Sequence, residues 1–184
     1  MSRSAVVRGP VFLSVLFFLT MAAGLSTVSA QELRYSYLEG GWLRADADFL
    51  DDAEDGYFAG GQMSFKRLHF FAEYADPGPF EIFQAGGGWH GLFGDNFDLV
   101  AEGAYYDIDI DDGYRLSGGI RWLIKSLELN SFYNHINAGD FENDGVSVGV
   151  NWEFLDRFAV GGEWEWGDES DSGRLFFRFY FQER

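Results

Sequence analysis

Three histidines and no cysteine in a chain of 184 residues leave few side chains able to act as base, nucleophile or soft metal ligand. Lack of Cys removes thiolate metal sites and disulfides together. His135 shares a two-residue period with Ser131, whose hydroxyl a base could activate. Four residues of extended chain span roughly 13 Å, whereas a nucleophile and its base must lie within ~3 Å. That pairing is excluded. His135 with Asp140 stays conceivable, beside the blander reading of a histidine at an interface. The segment Asp107-Ile108-Asp109-Ile110-Asp111-Asp112-Gly113 resembles a calcium loop, but its Gly comes one place late and Gly118 stands where the closing Glu belongs. The other acid clusters (Asp46, Asp48, Asp51, Asp52, Glu54 and Asp55; Asp140, Glu142 and Asp144; Asp168, Glu169 and Asp171) read as solvated loops that could share divalent ions with phosphates. No catalytic residue, resident metal or cofactor is expected.

A second set of charges recurs in register. Tyr37-Leu38-Glu39, Phe71-Ala72-Glu73, Val100-Ala101-Glu102 and Gly161-Gly162-Glu163 each carry apolar or small residues into one Glu. On the same alternating face stand Arg115, Arg121, Arg174 and Arg178, with further acids at Glu128, Glu153 and Glu165. Such a set lines either a polar channel that favours cations or a packed plug in which acid and guanidinium satisfy one another. The plug is the better expectation, because a small barrel leaves little bore once side chains fill it. On that expectation, removing Glu102 or Glu163 leaves a guanidinium short of a partner.

The elements that must position these residues follow from a period of two, the signature of strands with unlike faces. Phe97, Leu99, Ala101, Gly103 and Tyr105 alternate with Asp98, Val100, Glu102 and Ala104. Val146, Val148, Val150, Trp152 and Phe154 alternate with Ser147, Gly149, Asn151 and Glu153. The pattern predicts ten strands near 33–45, 56–66, 68–76, 80–93, 97–107, 113–123, 127–136, 145–154, 158–167 and 173–181. Eight is the alternative, because 33–45 and 80–93 alternate less clearly. Tight turns at 66–67, 94–96, 124–126 and 155–157 are expected to oppose longer loops at 46–55, 77–79, 108–112, 137–144 and 168–172. An even strand count with that asymmetry predicts an antiparallel up-and-down transmembrane barrel, its turns and both termini in the periplasm and its loops outside.

Residues 1–30 fit a cleavable export signal: Arg3 and Arg8, the uncharged run Val11 to Leu25, then Val28-Ser29-Ala30. Residues 31–184 form the barrel domain. The signal holds two of the 13 Lys and Arg and none of the 30 Asp and Glu, so the remainder carries 11 − 30 = −19. Such acidity repels nucleic acid, yet aromatic residues at 19% and 24 Gly do not suit a disordered chain. No apolar run after residue 30 is long enough to cross a bilayer as a helix.

Lipid is the expected neighbour of the apolar face. Tyr74, Tyr105, Tyr114 and Tyr133 fall near its loop end, and Trp89, Trp122, Trp152 and Phe158 towards its turn end. Two aromatic belts are what the two lipid–water interfaces select, and that many rings would not fit inside a small soluble barrel. The closing strand presents Leu175, Phe177, Phe179 and Phe181, similar to the assembly signal of outer-membrane proteins, although Gln182-Glu183-Arg184 follow the final Phe.

Tyr35-Ser36-Tyr37-Leu38-Glu39-Gly40-Gly41-Trp42, the Asp-Gly starts at Asp55-Gly56-Tyr57, Asp112-Gly113-Tyr114 and Asp144-Gly145-Val146, and Phe71-Ala72-Glu73-Tyr74 resemble the Ax-twenty-one family of small outer-membrane proteins of xanthomonads and relatives. The resemblance spans most of residues 31–184. It implies a non-enzymatic surface protein and supplies no catalytic residues. The expected function is thus a structural or surface-interaction role in the outer membrane of a Gram-negative bacterium, reached through the Sec pathway. Expected partners are outer-membrane lipids and lipopolysaccharide, with periplasmic chaperones and the barrel-assembly machinery during biogenesis; the expected state is a monomer. A small cation-preferring pore is the alternative, and a lipid A-modifying enzyme a more remote one.

Overall fold

The computed structural model describes residues 33–181 apart from 48, 49, 51, 94, 95 and 110, so the proposed export signal lies outside the described residues. Ten antiparallel strands close into one barrel in chain order: β1 (Tyr37–Ala47), β2 (Glu54–Phe65), β3 (Leu68–Asp76), β4 (Ile82–Leu92), β5 (Phe97–Ile108), β6 (Asp111–Ile124), β7 (Leu127–Ala138), β8 (Phe141–Leu155), β9 (Phe158–Gly167) and β10 (Ser170–Tyr180). The seam joins β1 to β10, with Glu39 opposite Arg178 and Leu43 opposite Arg174. Closure leaves no edge strand, so every ladder finds partners without water. No helix among the described residues is long and apolar enough to cross a membrane.

Alternation sorts the side chains as the sequence pattern requires. Leu38, Trp42, Tyr57, Phe70, Leu99, Leu116, Val150, Trp152 and Leu175 are exposed on the outer wall. Glu128, Asn134, Ser147 and Asn151 are buried within the barrel. Tyr105 pairs with Tyr114 across the β5–β6 ladder near the loop end, and Phe97 with Trp122 near the turn end. The turn-end connections at 66–67, 125–126 and 156–157 are tight, with Lys66 and Lys125 in the left-handed region.

Two expectations need correction. Residues 33–36 are not strand: they precede β1 and enter the barrel at its turn end, burying Arg34, Tyr35 and Ser36. Segments 108–112, 137–144 and 168–172 are mostly strand, so only two residues separate β5 from β6, β7 from β8 and β9 from β10. Their Asp and Gly residues mislead because outward carboxylates at the rim stay solvated while the inward partners still pack. The inner wall is polar only in part. Towards the loop end Leu43, Phe58, Ala75 and Phe176 form one apolar cluster, and Tyr106, Ile108, Ile136 and Ala138 a second, bridged by Ile82.

Candidate functional site: the filled lumen

The barrel interior is built as three successive layers. The first, at the turn end, is organised by the segment preceding β1. The Tyr35 hydroxyl donates to Asp98 Oδ2 at 2.5 Å, its ring lies 3.6 Å from the His90 ring centroid, and the Arg121 guanidinium sits 4.2 Å above it. Burial pushes the Tyr35 phenol well above its ordinary pKa, so it stays a donor. Arg34 pairs with Glu153 at 2.7 Å, lies 3.8 Å from the Tyr180 ring centroid and donates to the Asp156 carbonyl. Arg121 grips Glu128 with two donors, Nε at 3.0 Å and Nη2 at 2.7 Å. It also donates to the Arg34 carbonyl. His69 and His90 bring their Nδ1 atoms to 3.2 Å. Gly88 makes room here, because a Cβ on it would lie 2.5 Å from His69 Nε2.

The second layer holds the four repeated acids. Glu39, Glu73, Glu102 and Glu163 line one central cavity of about 120 Å³, together with Arg115, Arg121, Arg174 and Arg178. All eight residues singled out in the sequence therefore share one space, but not as equivalent pairs. Arg178 holds Glu39 through Nε at 2.8 Å and Nη2 at 2.7 Å. Arg174 holds Glu73 at 3.0 Å and lies 3.8 Å from Glu163. Glu102 meets His69 at 2.9 Å instead of a guanidinium, so its removal does not strand an Arg. Arg115 donates to Gln84 Oε1 and Asn134 Oδ1, each at 3.0 Å, and Arg121 belongs to Glu128 in the first layer.

Gln84 was not singled out by sequence reasoning, although it completes the arrangement. Its amide donates to Glu73 Oε1 at 2.9 Å while its carbonyl accepts from Arg115. Asn134, Arg115, Gln84, Glu73, Arg174 and Glu163 thereby form one polar chain from β7 to β9, crossing the bore between β3 and β10. Its signal in the sequence was parity alone: Gln84 falls on the inward face of β4. The third layer is the apolar packing described above, with a cavity of about 90 Å³. Glu73, Gln84, Arg115 and Arg174 border both cavities and so make the partition between them.

Of the catalytic candidates, Ser131 pairs with Val148 and His135 with Asp144. His135 Nδ1 lies 2.9 Å from Asp144 Oδ1 on the outer wall, so Asp144, not Asp140, is the partner. The Tyr133 hydroxyl donates to the same oxygen at 2.7 Å.

A closed barrel of ten antiparallel strands, apolar outside and charged within, defines a transmembrane β-barrel. Among solved structures, a KdgM porin aligns with a TM-score of 0.51 at 9% identity, covering 79% of this chain and 99% of that one. A KdgM porin in complex with disordered oligogalacturonate aligns at 0.50 and 10% identity, covering 80% and 99%. Likeness at such identity is a likeness of fold. The sequence matches no protein-family profile and no curated protein.

Proposed function

We propose that this protein is a closed, non-enzymatic barrel of the outer membrane of a Gram-negative bacterium, acting through its exterior and loop rim and not through its bore. The observation that carries this reading is the polar chain from Asn134 to Glu163, which crosses the lumen between two small cavities. Guanidiniums and carboxylates taken out of bulk water are costly unless paired or hydrogen-bonded, so this partition is a fixed part of the fold. The turn-end layer adds a second closure. The outer wall fits lipid and lipopolysaccharide as neighbours, with exposed Tyr57, Tyr105, Tyr114 and Tyr133 towards the loop end and Trp89 and Trp152 towards the turn end. The Ax-twenty-one resemblance and a monomeric state belong to the same proposal, as do Sec export and passage through chaperones and the barrel-assembly machinery.

The test is made in two steps on protein refolded in detergent. Unboiled and boiled samples should migrate differently on electrophoresis, and the folded form should conduct little in planar bilayers. A steady cation-selective current would replace this reading with the second one, a small pore. That alternative draws on the porin fold and on the carboxylates around the central cavity.

A further inference from the structure

On the outer wall, the β7–β8 hairpin carries a group that the closed lumen does not use. His135 stands directly opposite Asp144, and Glu142 lies opposite Asn137, two residues further along the same face. Cross-strand partners and their diagonal neighbours are close enough for long side chains to meet. One ligand atom from each of His135, Glu142 and Asp144 falls within 4.8 Å of the others. We propose that these three residues form a divalent transition-metal site at the loop rim, of the kind that takes zinc or manganese.

The donor set argues for that class. One imidazole nitrogen and two carboxylates suit borderline ions better than calcium or magnesium, which prefer all-oxygen shells. Donors about 2.1 Å from one tetrahedral ion stand ~3.4 Å apart, so with the three atoms within 4.8 Å of one another the exposed Glu142 side chain has at most about 1.4 Å to close. His135 and Asp144 are already at 2.9 Å. On binding, the ion takes the place of the proton that Nδ1 donates to Asp144.

The hairpin also holds its donors in place. Only Gly139 and Asp140 join the two strands, Gly139 in the left-handed region. The Asp168 amide donates to the Asp144 carbonyl at 3.1 Å, the Tyr114 ring packs 5.8 Å from the His135 ring, and Tyr133 fixes the Asp144 carboxylate. The neighbouring β5–β6 hairpin supplies an internal comparison. There Tyr105 likewise donates to Asp107, and Asp112 stands opposite, but no histidine completes the set. Three protein donors leave the ion's remaining positions to water or a phosphate oxygen.

Titrating the refolded full-length protein with Zn²⁺ by calorimetry, and with Co²⁺ by its visible absorption, tests the assignment. One saturable site per chain is expected, resistant to a large excess of Mg²⁺. His135→Ala, Asp144→Asn and Glu142→Gln should each weaken it about tenfold or more, while Asp107→Asn leaves it unchanged. Glu142 is exposed, so its variant reports on binding even if another variant folds poorly, and heat-dependent migration checks folding in each. Absence of saturable binding, equal displacement by Mg²⁺, or unaltered binding in Glu142→Gln and folded His135→Ala would each overturn the proposal.

Discussion

Replacing Glu39 by Gln should be among the most damaging single changes in the lumen, and its size can be worked from the seam. Glu39 and Arg178 face each other across the β1–β10 ladder, with side chains only 10% and 8% exposed. The amide keeps the volume and one acceptor but removes the charge, leaving a buried guanidinium held by polar groups alone. Stranding one partner of a buried pair costs roughly 3–5 kcal/mol. Glu128 lies 3.9 Å from Arg178 and offers partial relief, but both its oxygens already serve Arg121. The Tyr37 ring, 3.9 Å from the guanidinium carbon, adds a cation–π contact. The expected loss therefore sits at the lower end, about 3 kcal/mol. With a slope of about 2 kcal/mol per molar urea, the unfolding midpoint falls by ~1.5 M. Tryptophan fluorescence during urea titration in lipid vesicles measures it, with Asp140→Asn on the exposed rim as control. Adding Arg178→Met to Glu39→Gln should recover most of the loss, since removing both charges leaves nothing unpaired. A midpoint within about 0.3 M of the control, or a double variant weaker than the sum of the singles, would refute the reasoning.

Other outcomes follow from the same layers. Glu163→Gln should cost clearly less than Glu73→Gln, because Arg174 keeps its 3.0 Å contact to Glu73; equal losses would contradict the pairing. Val148 is on the outer wall and Ser147 is buried inside, so Val148→Arg should lose about 2–4 kcal/mol, the scale for a cation at the bilayer midplane, and Ser147→Ala far less. Tyr35→Ala combined with Arg34→Ala should loosen the turn-end layer, seen as faster hydrogen exchange at His69 and Arg121, while the polar partition keeps conductance low. Single Cys at Asp52 or Asp140 should react with an impermeant maleimide on intact cells, whereas Cys at Asn96 or Asp156 should react only after the outer membrane is opened; labelling of all four on intact cells would reverse or break the proposed topology.

Which face each residue takes was settled by the sequence, because Cβ atoms alternate along a strand whatever its neighbours. Phe97 to Tyr105 and Val146 to Phe154 show this, and so do the eight charged residues that share the central cavity. Ten strands and their order followed from the same period, with short connections making each strand the neighbour of the next. Partnership was not legible. Whether Arg174 reaches Glu73 or Glu163 depends on how far each strand is staggered around the closed wall, and stagger leaves no mark on local alternation. The path of residues 33–36 was hidden because alternating residues look like strand even where no ladder is available to them. Outward acids such as Asp107, Asp112, Glu142 and Asp144 resembled loops, although Tyr106, Ile108, Ile136 and Ala138 on the other side of the same strands pack inward. His135 found Asp144 instead of Asp140 because the two-residue connection fixes the β7–β8 register, and only a folded hairpin decides which carboxylate lies across from an imidazole.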